Sequence, residues 1–514
     1  MYIVENARIF TGEKFVDQVI AISNGKVSFI LPSDLTNYKV IEGKGKILAP
    51  GFIDVHTHTD GWLLKNPAFN LKTQQGYTTE VLMADGISYA PVNGQTWKEW
   101  IYYLKSLNGL DSDNYTGWES VADYMRLLDR KTCMNTAAHV PYANVRTICH
   151  GWSPDKPGFE ATKNMQALIQ EGLSHGAVGL STGLEYVAEC FSSTEEIINA
   201  CRAFSGTKYL YVTHIRYPLG LVEGLMEAVE IGRAANVPVH ISHLKCTDPG
   251  LTEKVLNYID RVAVHEVDFS FDVYPYAASS TMLHYLLPYE IWSAGPLAAK
   301  SKLLDPAIQE KFSLLLAREN LDAAYIAWGA SSNTALSGIN LSEYIRHANQ
   351  PAALALSELL IEENFSVLLV FRKGNDDLVA PFVAHKTSMI GSDGIYFPGA
   401  NVHPRMYGSS AKILGDYRRR LKVLDLETAL KKLSTYPARR FGLKGRGVIE
   451  EGSAADLVLF DPVAIQDHAS YDDSCRLPSG IEWVFVNGVP VVMAGEALSS
   501  LEQKTAGCFI QAQH

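Results

Sequence analysis

Two histidines separated by one residue, His56 and His58, close an apolar stretch, GFIDVHTH. Alternate side chains of a strand share a face, so both imidazoles point one way, together with Asp54. Paired imidazoles suit a divalent cation, but an isolated HxH is as well explained by a hydrogen-bonded core histidine. Two further histidines close apolar stretches of their own, His214 in YLYVTHI and His243 in PVHISHLK. Two aspartates do the same, Asp85 in TTEVLMAD and Asp393 in TSMIGSD. Each precedes a glycine, and an Asp-Gly turn explains either one alone. Beside four histidines that end three separate strands, a metal site is the better explanation. Asp85 can then bind one cation or bridge two, because its oxygens coordinate separately. Asp393 can take the proton of a water whose pKa a cation has lowered to about 7, or serve as a further ligand.

Elements of a particular kind are needed to bring these residues together. Apolar strand candidates lie at 51–58, 78–85, 135–142, 177–184, 209–215, 238–245, 268–276 and 387–393. Helical patterns separate most of them, among them WESVADYMRLLDR, NMQALIQEGLSHG and LVEGLMEAVEIGRAAN. Eight strands joined by helices predict an α/β fold, a (β/α)8 TIM-like barrel, whose active sites form at the carboxyl ends of the strands. An open doubly wound sheet is the alternative, and no GxGxxG supports a dinucleotide version of it. Residues 284–380 read as an insertion between the seventh and eighth strands, with helical stretches such as NLSEYIRHANQ. The first fifty residues and the segments at 455–462 and 481–495 read as short strands. The two chain ends, 1–50 and 441–500, are therefore expected to form one small β-sandwich domain, leaving 51–440 as the barrel.

With 514 residues the chain is too long for a simple barrel of about 250, in keeping with added parts. A formal net charge of -11 argues against a nucleic-acid partner. Seven scattered cysteines with no CxxC suggest reduced thiols and a cytoplasmic location. The start, MYIVENARIFTGEKF, lacks the pattern of a signal peptide, and no apolar run approaches the roughly 18 residues that span a bilayer.

A series of segments resembles the amidohydrolase superfamily, and more closely the N-acyl-D-amino-acid deacylases, or D-aminoacylases. They are APGFIDVHTHTD, GLSTGLEY, YVTHIR, VHISHLK, DVYPYAASST, MIGSDG, HPRMYG, YPARRFGL and EGSAADLVLFDP. The resemblance implies Zn2+ held by His56, His58, His214 and His243, with Asp393 as general acid/base. It implies that Lys245, Tyr276 and Arg405 bind the carboxylate of a small-molecule amide substrate, and that Tyr186 hydrogen-bonds the scissile carbonyl. Asp85 stands where the family has a metal-ligating cysteine, and Met83-Ala84 where it has Gly-Asn. A carboxylate oxygen is harder than sulfur, so one or two ions, and Mn2+ or Fe2+ in place of Zn2+, come into view. The expected reaction is hydrolysis of an N-acyl-D-amino acid or a related carboxylate-bearing amide. The alternatives are a hydrolase of another C–N bond, such as a cyclic amide, isopeptide or specialised-metabolite amide, and a non-catalytic barrel that has lost its metal.

Overall fold

The computed structural model describes residues 1–30, 36–331 and 336–514. Its centre is a ring of eight parallel strands: β1 (Phe52–Asp54), β2 (Tyr77–Leu82), β3 (Asn135–Ala138), β4 (Gly179–Gly183), β5 (Leu210–His214), β6 (Val239–Ile241), β7 (Phe269–Val273) and β8 (Ser388–Ile390). Every residue of these strands is buried, as expected when helices cover one face and the barrel interior fills the other. The third strand breaks at His139 and resumes at Val140–Pro141, where it pairs with β4. The His139 N–H donates to Leu82 O, and Val178 N donates to Ala138 O, so the ladder continues across the break.

The ring closes between β8 and β1 just beyond their regular spans. Thr57 and Gly394 form a parallel bridge, Asp393 N donates to His56 O at 2.8 Å, and His58 N donates to Gly394 O at 2.9 Å. Closure thus runs through the residues that carry the candidate chemistry. Helices such as Phe159–Ser174 and Leu221–Ala235 join successive strands. The second ends on Asn236 in a left-handed conformation, which stops the helix and turns the chain into β6.

Between β7 and β8 the chain adds helices and a three-stranded antiparallel sheet, Ser279–Met282, Ala324–Gly329 and Val367–Phe371, with the last in the middle. Sequence patterns suggested helices alone here. VLLVF is apolar on both faces, and a short run of that kind has no periodicity to distinguish strand from buried helix.

Both chain ends contribute to a two-sheet sandwich. A four-stranded sheet contains Tyr2–Glu5, and a seven-stranded sheet pairs Ile47–Pro50 with Leu457–Phe460. Val4, Ile9, Ile22, Leu48, Leu457 and Phe485 pack between the sheets. The last residues return to the barrel, where Thr136 N donates to Cys508 O and Ile510 N to Thr136 O. Among the described residues no helix is long and apolar enough to cross a membrane.

A buried ion pair pins the closing strands. Asp54 and Lys72 are fully buried, with Nζ 2.6 Å from Oδ2, and Asp54 also accepts from Ser392 N at 2.7 Å and Ser392 Oγ at 2.5 Å. Asp54 is therefore occupied with holding the residue next to Asp393, although it shares strand parity with His56. Asp54→Asn should destabilise the protein by about 3–5 kcal/mol, because it leaves the Lys72 ammonium buried without its anion. Chemical denaturation measures this, and an unchanged midpoint would refute it.

Candidate metal centre

The four histidines and two aspartates singled out above meet at the carboxyl rim of the barrel. His56 and His58 follow β1, Asp85 follows β2, His214 ends β5, His243 follows β6 and Asp393 follows β8. Asp85 Oδ2 lies 3.5 Å from His56 Nε2, 3.6 Å from His58 Nε2, 4.0 Å from His214 Nδ1 and 3.6 Å from His243 Nε2. Asp393 Oδ1 stands 3.3 Å from His58 Nε2 and 3.9 Å from His56 Nε2. His214 Nδ1 and His243 Nε2 are 3.0 Å apart. Donors held about 2.0–2.2 Å from one cation in a tetrahedral shell stand roughly 3.3–3.6 Å from one another, and these spacings bracket that value. Two buried triads share Asp85: His56, His58 and Asp85, and Asp85, His214 and His243. His56 Nε2 and Asp85 Oδ1 are buried with no hydrogen-bond partner among the described residues, as metal-ligand atoms would be. The donor set fits one or two divalent cations.

The backbone is strained where it delivers these groups. Asp85, His243 and Asp393 all take positive φ, at 54°, 39° and 50°. Non-glycine residues rarely adopt that region, and such strain persists only where the surroundings enforce it. Asp272 Oδ1 accepts from His243 N at 2.9 Å, and His56 O accepts from Asp393 N at 2.8 Å. Asp60 Oδ1 accepts from Met83 N at 2.9 Å and Ser88 Oγ at 2.7 Å, which fixes the loop around Asp85. Gly183 completes the fit. A Cβ there would stand 2.4 Å from Asp85 O and 2.5 Å from the Tyr186 ring.

Charges in the cluster hold one another in place. Burial would raise the Asp85 carboxyl, but His56 and His243 outweigh it and hold the group well below the usual carboxylate range. Burial likewise opposes ionisation of Asp393, and the Arg405 guanidinium overcomes it from 2.7 Å with help from His58. Burial lowers His56, while Asp85 and Asp272 more than reverse the effect and raise its pKa well above that of ordinary histidine. A cation must therefore compete with a proton at His56. His139, behind the cluster, is pushed down to about 3 by burial and by His56, so it is neutral.

A cavity of about 440 Å³ opens onto the cluster. Tyr186, Lys245 and Arg405 line it, as do His58, Asp85, His214, His243 and Asp393. Lys245 Nζ donates to the carbonyls of Ala277 and Ala278 at 2.6 and 2.7 Å, and burial, with Arg405 nearby, lowers its pKa to about 7. Tyr276 is not among the residues that line this cavity. Its hydroxyl donates to Asp467 Oδ2 at 2.7 Å, and Tyr274 lines the cavity in its place. The Tyr274 ring centre is 4.5 Å from both Lys245 Nζ and Arg405 Cζ. Both tyrosines lie past the end of β7, where strand alternation no longer dictates direction. Sequence reasoning also passed over Glu185, Tyr217 and Asp272. Asp272 carried a usable signal, a carboxylate inside the otherwise apolar strand FSFDV.

A profile of the amidohydrolase family matches residues 372–492. The D-aminoacylase of Alcaligenes xylosoxydans xylosoxydans is 33% identical over 465 residues, covering 89% of this chain and 87% of its own. A solved D-aminoacylase structure, from work on its binuclear metal centre with one-metal activation and second-metal attenuation, superposes with TM-score 0.81. It is 28% identical and covers 99% of both chains. The N-acyl-D-glutamate deacylase of Bordetella bronchiseptica, solved with zinc and a phosphonate mimic of the tetrahedral intermediate, gives 0.80 at 28% identity and the same coverage.

Asp85 is the one side chain common to both triads. Asp85→Ala should weaken metal binding by roughly a hundredfold or more, beyond the effect of losing a supporting partner. Metal content after gel filtration, measured by mass spectrometry, tests this. Retention equal to the parent protein would refute the shared-ligand geometry.

Proposed function

Because the chain belongs to the D-aminoacylase family of metal-dependent amidohydrolases, we propose that it hydrolyses the amide bond of N-acyl-D-amino acids. The single observation that carries this reading is the convergence of four imidazoles and Asp85 beside an Asp393–Arg405 pair, at the floor of a cavity that also exposes Lys245.

His56, His58, Asp85, His214 and His243 would hold one or two divalent cations, with Asp393 as a further ligand. Zn2+ is the first expectation, and the oxygen ligand Asp85 admits Mn2+ or Fe2+. When bound, the cation lowers the pKa of water and polarises the scissile carbonyl. Asp393 accepts the proton of the attacking water and returns it to the leaving amine. Arg405 keeps Asp393 ionised before the reaction begins, so a carboxylate oxygen is free to take up a proton. Burial raises the Tyr186 hydroxyl well above its ordinary pKa, so it stays protonated and can donate to the developing oxyanion. Lys245 and the Arg405 Nε–H, which has no hydrogen-bond partner among the described residues, face the substrate's carboxylate. The Tyr274 ring buttresses both cations.

In this reading residues 51–440 form the catalytic barrel, 284–380 elaborate its pocket, and 1–50 with 441–500 form the sandwich. The substrate is a small molecule. The seven free cysteines suit a cytoplasmic enzyme.

Asp393→Asn should lower turnover by roughly 10²–10⁴-fold while keeping most of the bound metal. Steady-state kinetics paired with metal analysis reads both quantities, and undiminished turnover would reject the assigned role. A panel of N-acetyl-D- and N-acetyl-L-amino acids, assayed with Zn2+, Mn2+ and Fe2+ in turn, should give hydrolysis of D isomers alone. Hydrolysis confined to L isomers would overturn the stereochemical part of the proposal.

A further inference from the structure

Carboxylates stand behind two of the four imidazoles, and one of them, Asp272, also holds the His243 backbone N–H at 2.9 Å. Behind the His56–His58 half, Asp272 Oδ2 stands 3.6 Å from His56 Nδ1. Behind the other half, Glu185 Oε2 lies 2.9 Å from His214 Nε2. The remaining two imidazoles have weaker support. His58 Nδ1 is buried with no partner among the described residues, and His243 Nδ1 meets only the Tyr217 hydroxyl at 3.4 Å.

Glu185 is placed by the strand beside it. Leu184 N donates to His214 O at 3.1 Å, so the turn after β4 is clamped to the end of β5 and carries Glu185 over the imidazole. Its carboxylate is only 7% exposed. An ionised carboxylate only accepts hydrogen bonds, so the His214 proton belongs on Nε2. That leaves the Nδ1 lone pair directed at Asp85 and His243, which a metal ligand requires. A carboxylate on the far nitrogen also fixes the orientation of the ring.

We propose that Glu185 is the positioning residue of His214, strengthening the hold of the Asp85–His214–His243 half on a cation more than that of the His56–His58–Asp85 half. The inference rests on the metal-dependent reading above. Glu185 touches an imidazole of that half alone, whereas Asp85 and Asp272 reach both halves.

Apoprotein of the parent, Glu185→Gln and Glu185→Ala is titrated with Zn2+ against a chromophoric chelator, and the apoprotein melting temperature is recorded. The variants should bind one of the two Zn2+ equivalents roughly 10–100-fold more weakly, with the other equivalent and the melting temperature close to the parent's. Glu185→Gln keeps the shape of the side chain, so it carries the test if the alanine variant fails to fold. Its amide can also donate to Nε2 and favour the wrong tautomer. Two equivalents bound with parental affinity in both variants, or equal weakening of both equivalents, would overturn the role given to Glu185. A parent protein that takes up no metal would instead sink the functional reading beneath it.

Discussion

One carboxylate oxygen organises this active-site rim. Asp85 Oδ2 lies within 4.0 Å of a ring nitrogen on each of four histidines, and all five residues are buried. Grouping so many polar groups away from water is unfavourable unless opposite charges or a cation compensate them. The rest of the rim follows from that constraint. Three of the delivering residues hold positive φ, and Asp60, Asp272 and the His56 carbonyl supply the hydrogen bonds that keep them there. A looser scaffold would relax these backbones and spread the donors apart.

Barrel closure and site assembly are one event in this fold. The strand pair that completes the ring is joined through His56, Thr57, His58, Asp393 and Gly394. Beneath it, the dry Asp54–Lys72–Ser392 cluster ties the two strands by side chains. Breaking a buried pair on one side costs far more than losing a surface contact, so the position of Asp393 is defended from within the core.

The cavity wall opposite the ligands has its own electrostatic logic. Arg405 is wholly buried and ion-paired to Asp393, so it suppresses protonation of that carboxylate. Lys245 is bound to two carbonyls and drawn toward neutrality by burial, which leaves it responsive to an arriving anion. The aromatic face of Tyr274 lies against both.

The amino-acid sequence alone determined the eight strands, the pairing of the chain ends into a sandwich, and the six ligand-type side chains. These residues end five apolar runs, His56 and His58 sharing one, and strand ends in a barrel share a rim, so position along the chain was enough. Tertiary structure alone decided what stands behind each ligand. Glu185 and His214 are 29 residues apart, and so are Asp272 and His243, on neighbouring strands whose register no local pattern encodes. The choice of Tyr274 over Tyr276 and the sheet inside the insertion were also settled there. Side-chain direction past a strand end, and the identity of short runs apolar on both faces, depend on what packs against them.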